Sequence, residues 1–188
     1  MEIAQLIERC QKGDELAWEA LVRQYQSRIY GLAYHYLGNA EDARDLAQEV
    51  FVRLYQSLGI CTDTGTFVPW MMRIARNLCI DHIRRKKARP PAEDVSVEER
   101  PNLPDQSRTP EELYAADKRK RLIYRALQTL TSLNREIIIL KEIQGLSLEE
   151  IASILSVPLG TIKSRSHRAR LELAQAVVAL TGNGEGAA

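Results

Sequence analysis

Apolar residues recur at intervals of three and four along most of this chain, with no sustained alternation, so helices rather than strands are expected. The first stripe holds Trp18, Leu21, Val22, Tyr25, Ile29, Leu32 and Tyr36, on a helix opened by Asp14 or a neighbour and closed by Gly38-Asn39. A second helix is expected from about Ala40 to Leu58, with Ala43, Leu46, Ala47, Val50, Leu54 and Leu58 as its core stripe. At about 100° per residue, Asp45, Gln48, Glu49, Val52 and Gln56 fall on the opposite side. After a loop over Gly59 to Thr66, a third helix begins near Phe67 and runs through the basic run at Arg84–Lys87. These three are the substantial helices expected of the N-terminal part.

The sharpest pattern lies between residues 145 and 175. Ser147 followed three positions later by Glu150 forms a capping box that starts a short helix. Ile151, Ala152 and Leu155 give that helix its apolar face. Ser156-Val157 then breaks the period, and Pro158 sits where the first turn of a second helix tolerates it. On the second helix Ile162, Ser166, Ala169 and Leu173 cluster toward the core, while Lys163, Ser164, His167, Arg168 and Leu171 point the other way. A short helix, a tight turn and a longer basic helix follow the order of a DNA-binding helix-turn-helix. A cationic, hydrogen-bonding outer face suits phosphates and base edges in a major groove. A charge run alone is as well explained by a solvated surface. Joined to the box, the turn and the core stripe, it favours duplex DNA.

Charge and proline content divide the chain further. Five of the seven prolines (Pro90, Pro91, Pro101, Pro104 and Pro110) fall within residues 88–110, a stretch with almost no large apolar side chains. Such a segment cannot bury a core and reads as a linker. The overall charge of +1 hides an uneven distribution. Residues 1–87 carry 12 basic and 11 acidic side chains, residues 88–117 carry 3 and 8, and residues 118–188 carry 11 and 6. An acidic middle therefore separates a near-neutral part from a basic one.

Other classes of function find little support. Cys10, Cys61 and Cys79 are odd in number and lack C-x-x-C spacing, and His35, His82 and His167 stand apart, so packing or solvent exposure is expected of them rather than metal binding. Cys61 could sense oxidation if exposed with a lowered pKa, but no cation adjacent in sequence would activate it. No apolar run approaches bilayer length and the N-terminus lacks the features of a signal peptide, so the cytoplasm is the expected location, without membrane insertion. No Walker loop, H-E-x-x-H or G-x-S-x-G is present, so neither catalysis nor a cofactor is expected.

With those residues in view, the chain resembles the small, two-domain bacterial sigma factors of the extracytoplasmic-function (ECF) type, within the sigma-70 family. Gly160-Thr161-Ile162-Lys163-Ser164-Arg165 followed by His167-Arg168-Ala169 is similar to that group's recognition helix. EDARDLAQEVFVRLY (Glu41 to Tyr55) is similar to its conserved-region-2 helix, and FVPWMMRIARNLCIDHIRR (Phe67 to Arg85) to its promoter-melting helix. The resemblance implies an all-α fold of two small helical domains. A region 2-like bundle would span 1–89, a Pro-rich acidic linker 90–112, a region 4-like helix-turn-helix domain 113–180 and a disordered tail 181–188.

The resemblance also implies roles. Core RNA polymerase would be the principal partner, its β′ clamp helices docking on Asp45, Gln48, Glu49 and Gln56. Promoter DNA would be read at the −35 element by Lys163, Ser164, Arg165, His167 and Arg168. The −10 element would be held by Arg73, Arg76, Asn77, Ile80 and Arg84, which with Lys87 share one face of the third helix. Asn77 and the Gly59–Thr66 loop would line a pocket for a base flipped out of the duplex. That loop lacks the basic and aromatic residues often seen there in the family. Trp70 could stack on a base or join the core with Met71 and Ile74. The acidic linker would thread the polymerase channels, and an anti-sigma factor is a further partner the family allows. Two rivals stand beside this reading. A free-standing regulator would bind a palindromic site as a dimer without polymerase, and a helical enzyme or adaptor would show no promoter dependence.

Overall fold

A computed structural model describes residues 3–61, 64–88 and 110–182, and all regular structure among them is helical. The chain divides into two compact units, Met1–Glu98 and Glu99–Ala188. The stretch expected to be a linker, up to residue 109, and residues 183–188 of the expected tail lie outside the described residues.

The first unit contains α1 (Ile3–Gln11), α2 (Glu15–Leu37), α3 (Ala40–Ser57) and α4 (Phe67–Ala88), with 3-10 turns at Leu58–Ile60 and Thr64–Thr66. Its boundaries follow from local chemistry. Asp14 caps α2 by accepting a hydrogen bond from the Ala17 N–H at 3.1 Å. Gly38, in the left-handed region at φ 71°, ends α2 and donates to the Tyr34 carbonyl at 2.8 Å. Asn39 then caps α3 by accepting from the N–H groups of Glu41 and Asp42, at 2.8 and 3.0 Å. This short Gly-Asn link makes α2 and α3 an antiparallel hairpin.

The core of this unit holds Leu21, Ile29, Leu32, Val50, Leu54, Phe67, Met71 and Met72, with Tyr25 set edge-on to Phe67 at 5.7 Å between ring centres. Each such buried side chain contributes about 1.5–3 kcal/mol of transfer free energy. The structure refines the sequence reading in three places. A fourth helix, α1, precedes the three expected ones and buries Leu6, Ile7 and Cys10 against the rest of the unit. Trp18 and Val22 of the first stripe are half-buried where the rest of the stripe is buried, and Trp18 packs on Phe51 and Tyr55 of α3. The connection after α3 is partly 3-10 helical rather than a plain loop.

The second unit contains α5 (Pro110–Thr129), α6 (Ser132–Ile138), a π-helical turn over Ile139–Ile143, α7 (Leu148–Leu155) and α8 (Leu159–Gly182). Helix α5 starts inside the stretch read as linker, with Pro110 at its first position, where a missing N–H costs nothing. Its C-terminus is closed by Arg135, whose guanidinium donates to the carbonyls of Leu127, Gln128 and Leu130 at 2.8, 2.9 and 3.2 Å. Helix α8 runs through Thr181 and Gly182, two residues into the expected tail. Ile137, Ile138, Ile139, Leu140, Ile151 and Ile162 are buried together with Ala169. On α7 the buried pair is Ile151 and Ile154, whereas Ala152 and Leu155 are half-buried. Ile151 and Ile154 lie one turn apart on the same side of α7, so they pack inward together.

Candidate functional site

The helix-turn-helix is held by paired end signals. The Ser147 Oγ accepts from the Glu150 N–H at 3.1 Å, and Glu150 Oε2 accepts from the Ser147 N–H at 2.7 Å, completing the expected box. At the other end of α7, Ser156 adopts the left-handed conformation, φ 55° and ψ 44°. A serine tolerates that region less readily than glycine, so this tight reversal carries some backbone strain. Pro158 lies just ahead of α8, and its carbonyl accepts the first helical hydrogen bond, from Ile162 at 3.1 Å.

Helix α8 then presents two distinct faces. Ile162, Ser166 and Ala169 are buried, while Leu173 is half-buried. Lys163, Ser164, His167 and Arg168 are exposed, beside a Leu171 that is 54% exposed. Arg165 departs from this group. It is half-buried on the flank of α8, and its guanidinium lies 3.5 Å from Asn134 Oδ1, a loose contact. Asn134 is itself buried and donates to Glu172 Oε2 at 2.8 Å. On the inner side, Lys141 of the π turn donates to Ser166 Oγ at 3.2 Å. Arg170 approaches Glu142 at 3.7 Å, which neutralises one cation of the helix.

Helix α4 carries the second cationic surface. Arg73, Asn77, Arg84 and Lys87 are exposed along one face, and Arg76 and Ile80 are half-buried beside them. The Arg76 guanidinium donates to Asn77 Oδ1 at 3.3 Å, an arrangement that orients the amide. Trp70 is half-buried and packs on Phe67, with ring centres 6.0 Å apart. Cys61, beside this helix's start, is buried rather than exposed, which removes the condition for an oxidation sensor.

The third surface is the outer face of α3. Asp45, Gln48, Glu49 and Gln56 are all exposed, as their spacing predicts. The periodicity left one part of it undrawn. Val52 and Tyr55 are 57% and 65% exposed, and Trp18 sets its ring edge-on against Phe51 and Tyr55 at 6.5 and 5.2 Å. Trp18, Phe51, Val52, Tyr55 and Gln56 line an open groove beside the acidic residues. The signal for it was present as Val52 and Tyr55 among polar outer positions. At the N-terminal end of α3, Asp42 ties the helix to α4 through Lys86 Nζ at 3.1 Å and His82 Nε2 at 3.6 Å.

Among the described residues no group of three or more His, Cys, Asp or Glu side chains is arranged to hold a metal ion. No described helix is long and apolar enough to cross a membrane.

The chain is similar to known proteins. Residues 21–89 match the family model for sigma-70 region 2, and residues 120–173 match that for sigma-70 region 4. The chain is 36% identical to the RNA polymerase sigma-H factor of Pseudomonas aeruginosa over 171 residues, covering 88% of this chain and 89% of that protein. It is 35% identical to the ECF RNA polymerase sigma-E factor of Escherichia coli over 170 residues, covering 88% of each. Its fold is similar to that of the sigma factor RpoE from Bartonella quintana, solved in complex with the anti-sigma factor NepR. That match has a TM-score of 0.61 at 23% identity and covers 85% of this chain and 95% of the other.

Proposed function

The chain belongs to the sigma-70 family, as an RNA polymerase sigma factor of the ECF type, and from that premise we propose how its three surfaces divide the work. Helix α8 enters the major groove of the −35 element with Lys163, Ser164, His167 and Arg168 toward base edges and phosphates, and Arg165 at the margin. The exposed face of α4 holds the −10 element: Arg73, Arg76 and Arg84 meet the backbone, and Asn77 with Ile80 meets an unpaired base. The outer face of α3 docks on the β′ clamp helices through Asp45, Gln48, Glu49 and Gln56. The groove of Val52, Tyr55 and Trp18 adds apolar contact at the centre of that interface.

In this reading residues 1–89 act as region 2, 113–180 as region 4, and 90–112 as their connector. The chain does no chemistry of its own. It works in the cytoplasm beside the polymerase, and an anti-sigma factor is the natural inhibitor, by analogy with the structure of RpoE and NepR.

The observation that carries the reading is the division of α8 into a buried face of Ile162, Ser166 and Ala169 and an exposed face of Lys163, Ser164, His167 and Arg168. The free-standing regulator shares that division but leaves the α3 surface without a partner. Run-off transcription from a promoter library separates the two. Core polymerase is expected to initiate selectively only when this chain is added. Tight selective binding of duplex by the chain alone, with no gain in transcription, would return the regulator.

A further inference from the structure

Gln11, the last residue of α1, joins two parts of the first unit that are distant in sequence. Its Nε2 donates to the Leu58 carbonyl at 3.0 Å and to the Cys61 carbonyl at 2.9 Å. A primary amide has two N–H hydrogens, and this contact uses both. The acceptors are well fixed, because Leu58 and Cys61 are buried and the Cys61 N–H closes the turn onto the Leu58 carbonyl at 3.1 Å.

The donor is equally well mounted. Leu6, Ile7 and Cys10 are buried along α1. Gly13 reverses the chain after α1 at φ 82°, a conformation side-chain-bearing residues resist. Arg9 then holds Asp14 through Nε at 2.8 Å and Nη2 at 2.7 Å, while Asp14 caps α2. Gln11 is exposed at the end of α1, and its amide bridges the α1–α2 junction to the turn that follows α3 through these two hydrogen bonds. That turn follows the polymerase-facing helix and precedes in sequence Phe67, where the −10-facing helix begins.

We infer that Gln11 is a positioning residue for −10 recognition, setting the turn at Leu58–Cys61 that leads toward α4. The inference rests on the assignment of α4 to the −10 element made above. Gln11 touches no DNA in this scheme. Its effect passes through two backbone carbonyls, so it bears on which −10 sequences are accepted and leaves the −35 contacts and the α3 face alone.

The test uses core polymerase reconstituted with the full chain, in run-off transcription on two template libraries, one randomised at the −10 element and one at the −35 element. Gln11→Glu preserves size but sets carboxylate oxygens against two carbonyls, and Gln11→Met preserves reach without donors. Both are expected to narrow the yield ratio between favoured and disfavoured −10 sequences by roughly tenfold, the scale of two uncharged hydrogen bonds. The −35 profile and the affinity for core polymerase stay at wild type. Should Gln11→Glu fail to fold, Gln11→Met carries the test. A uniform loss of yield on every template would mean a merely structural role and overturn the inference. So would unchanged −10 profiles in the Gln11 variants while Asn77→Ala flattens its own. An unchanged −10 profile in Asn77→Ala would overturn the α4 assignment, and the inference with it.

Discussion

The four side chains of α8 proposed to face DNA, Lys163, Ser164, His167 and Arg168, are chemically unequal. Arg168 is exposed on the outer face and can address a guanine with two parallel hydrogen bonds from one planar fork, whereas the ammonium of Lys163 reaches the same edge as a point charge without that fixed geometry. Ser164 already donates its hydroxyl to the Thr161 carbonyl at 3.0 Å, leaving it chiefly an acceptor. Arg165, by contrast, is half-buried beside Asn134. Burial pushes the Cys79 thiol from an ordinary value near 9.0 up to about 12, so the folded chain keeps a proton that the unfolded chain gives up. The resulting stability is fully present below pH 9.0, declines as pH rises above it, and is lost by about 12. Replacing Cys79 by Ser or Ala, or following unfolding by denaturant between pH 8 and pH 10, checks the sign: wild type should lose more stability over that interval than the variant, and equal losses would contradict it. The same burial makes Cys79 inert to alkylation in the native protein. Modification at the rate of a free thiol would show that the α4 core opens readily.

At the scale of elements, each helix is defined by its ends as much as by its stripe. Ser147 is the clearest case, and Ser147→Ala should lower the stability of the second unit by about 1 kcal/mol in a thermal or denaturant melt. No change would mean that tertiary packing alone fixes the start of α7. The outer face of α3 makes a different claim. Reversing charge at Asp45 and Glu49, both exposed, should weaken binding to core polymerase while leaving the melting temperature unchanged. Wild-type affinity in that double variant would refute the docking assignment. Legibility from sequence also varied by element. The start of α2 and the boundary between α2 and α3 could be placed because Asp14 and Gly38-Asn39 signal them locally. Helix α1 is nine residues long and depends on burial of Leu6 and Ile7 for its stability, so its own pattern carried little weight. Helix α5 begins among prolines and acids and is closed by Arg135, a partner in the next helix that no local pattern shows.

For the whole molecule, the outward residues were easier to read than the supports behind them. Spacing alone placed Asp45, Gln48, Glu49 and Gln56 on one face of α3 and Lys163, Ser164, His167 and Arg168 on one face of α8, and all eight are exposed. The buried amide of Asn134, the π turn over Ile139–Ile143 and the bracket from Gln11 to Leu58 and Cys61 are tertiary features. The Asn134 and Gln11 contacts join residues tens of positions apart, and periodicity carries no trace of any of the three. Trp18 shows the same limit from the other side, since its apolar character was visible but its place at the rim of a groove was not.

In the proposed scheme two separate units read two separate promoter elements, α8 the −35 and α4 the −10. Its most direct test compares Arg168→Ala and Asn77→Ala in the reconstituted holoenzyme, with initiation profiled on templates randomised at one element at a time. Arg168→Ala should cost about 1–3 kcal/mol of discrimination at the −35 element and leave the −10 profile unchanged, while Asn77→Ala should do the reverse. Loss at the wrong element in either variant, or no loss in both, would contradict the account.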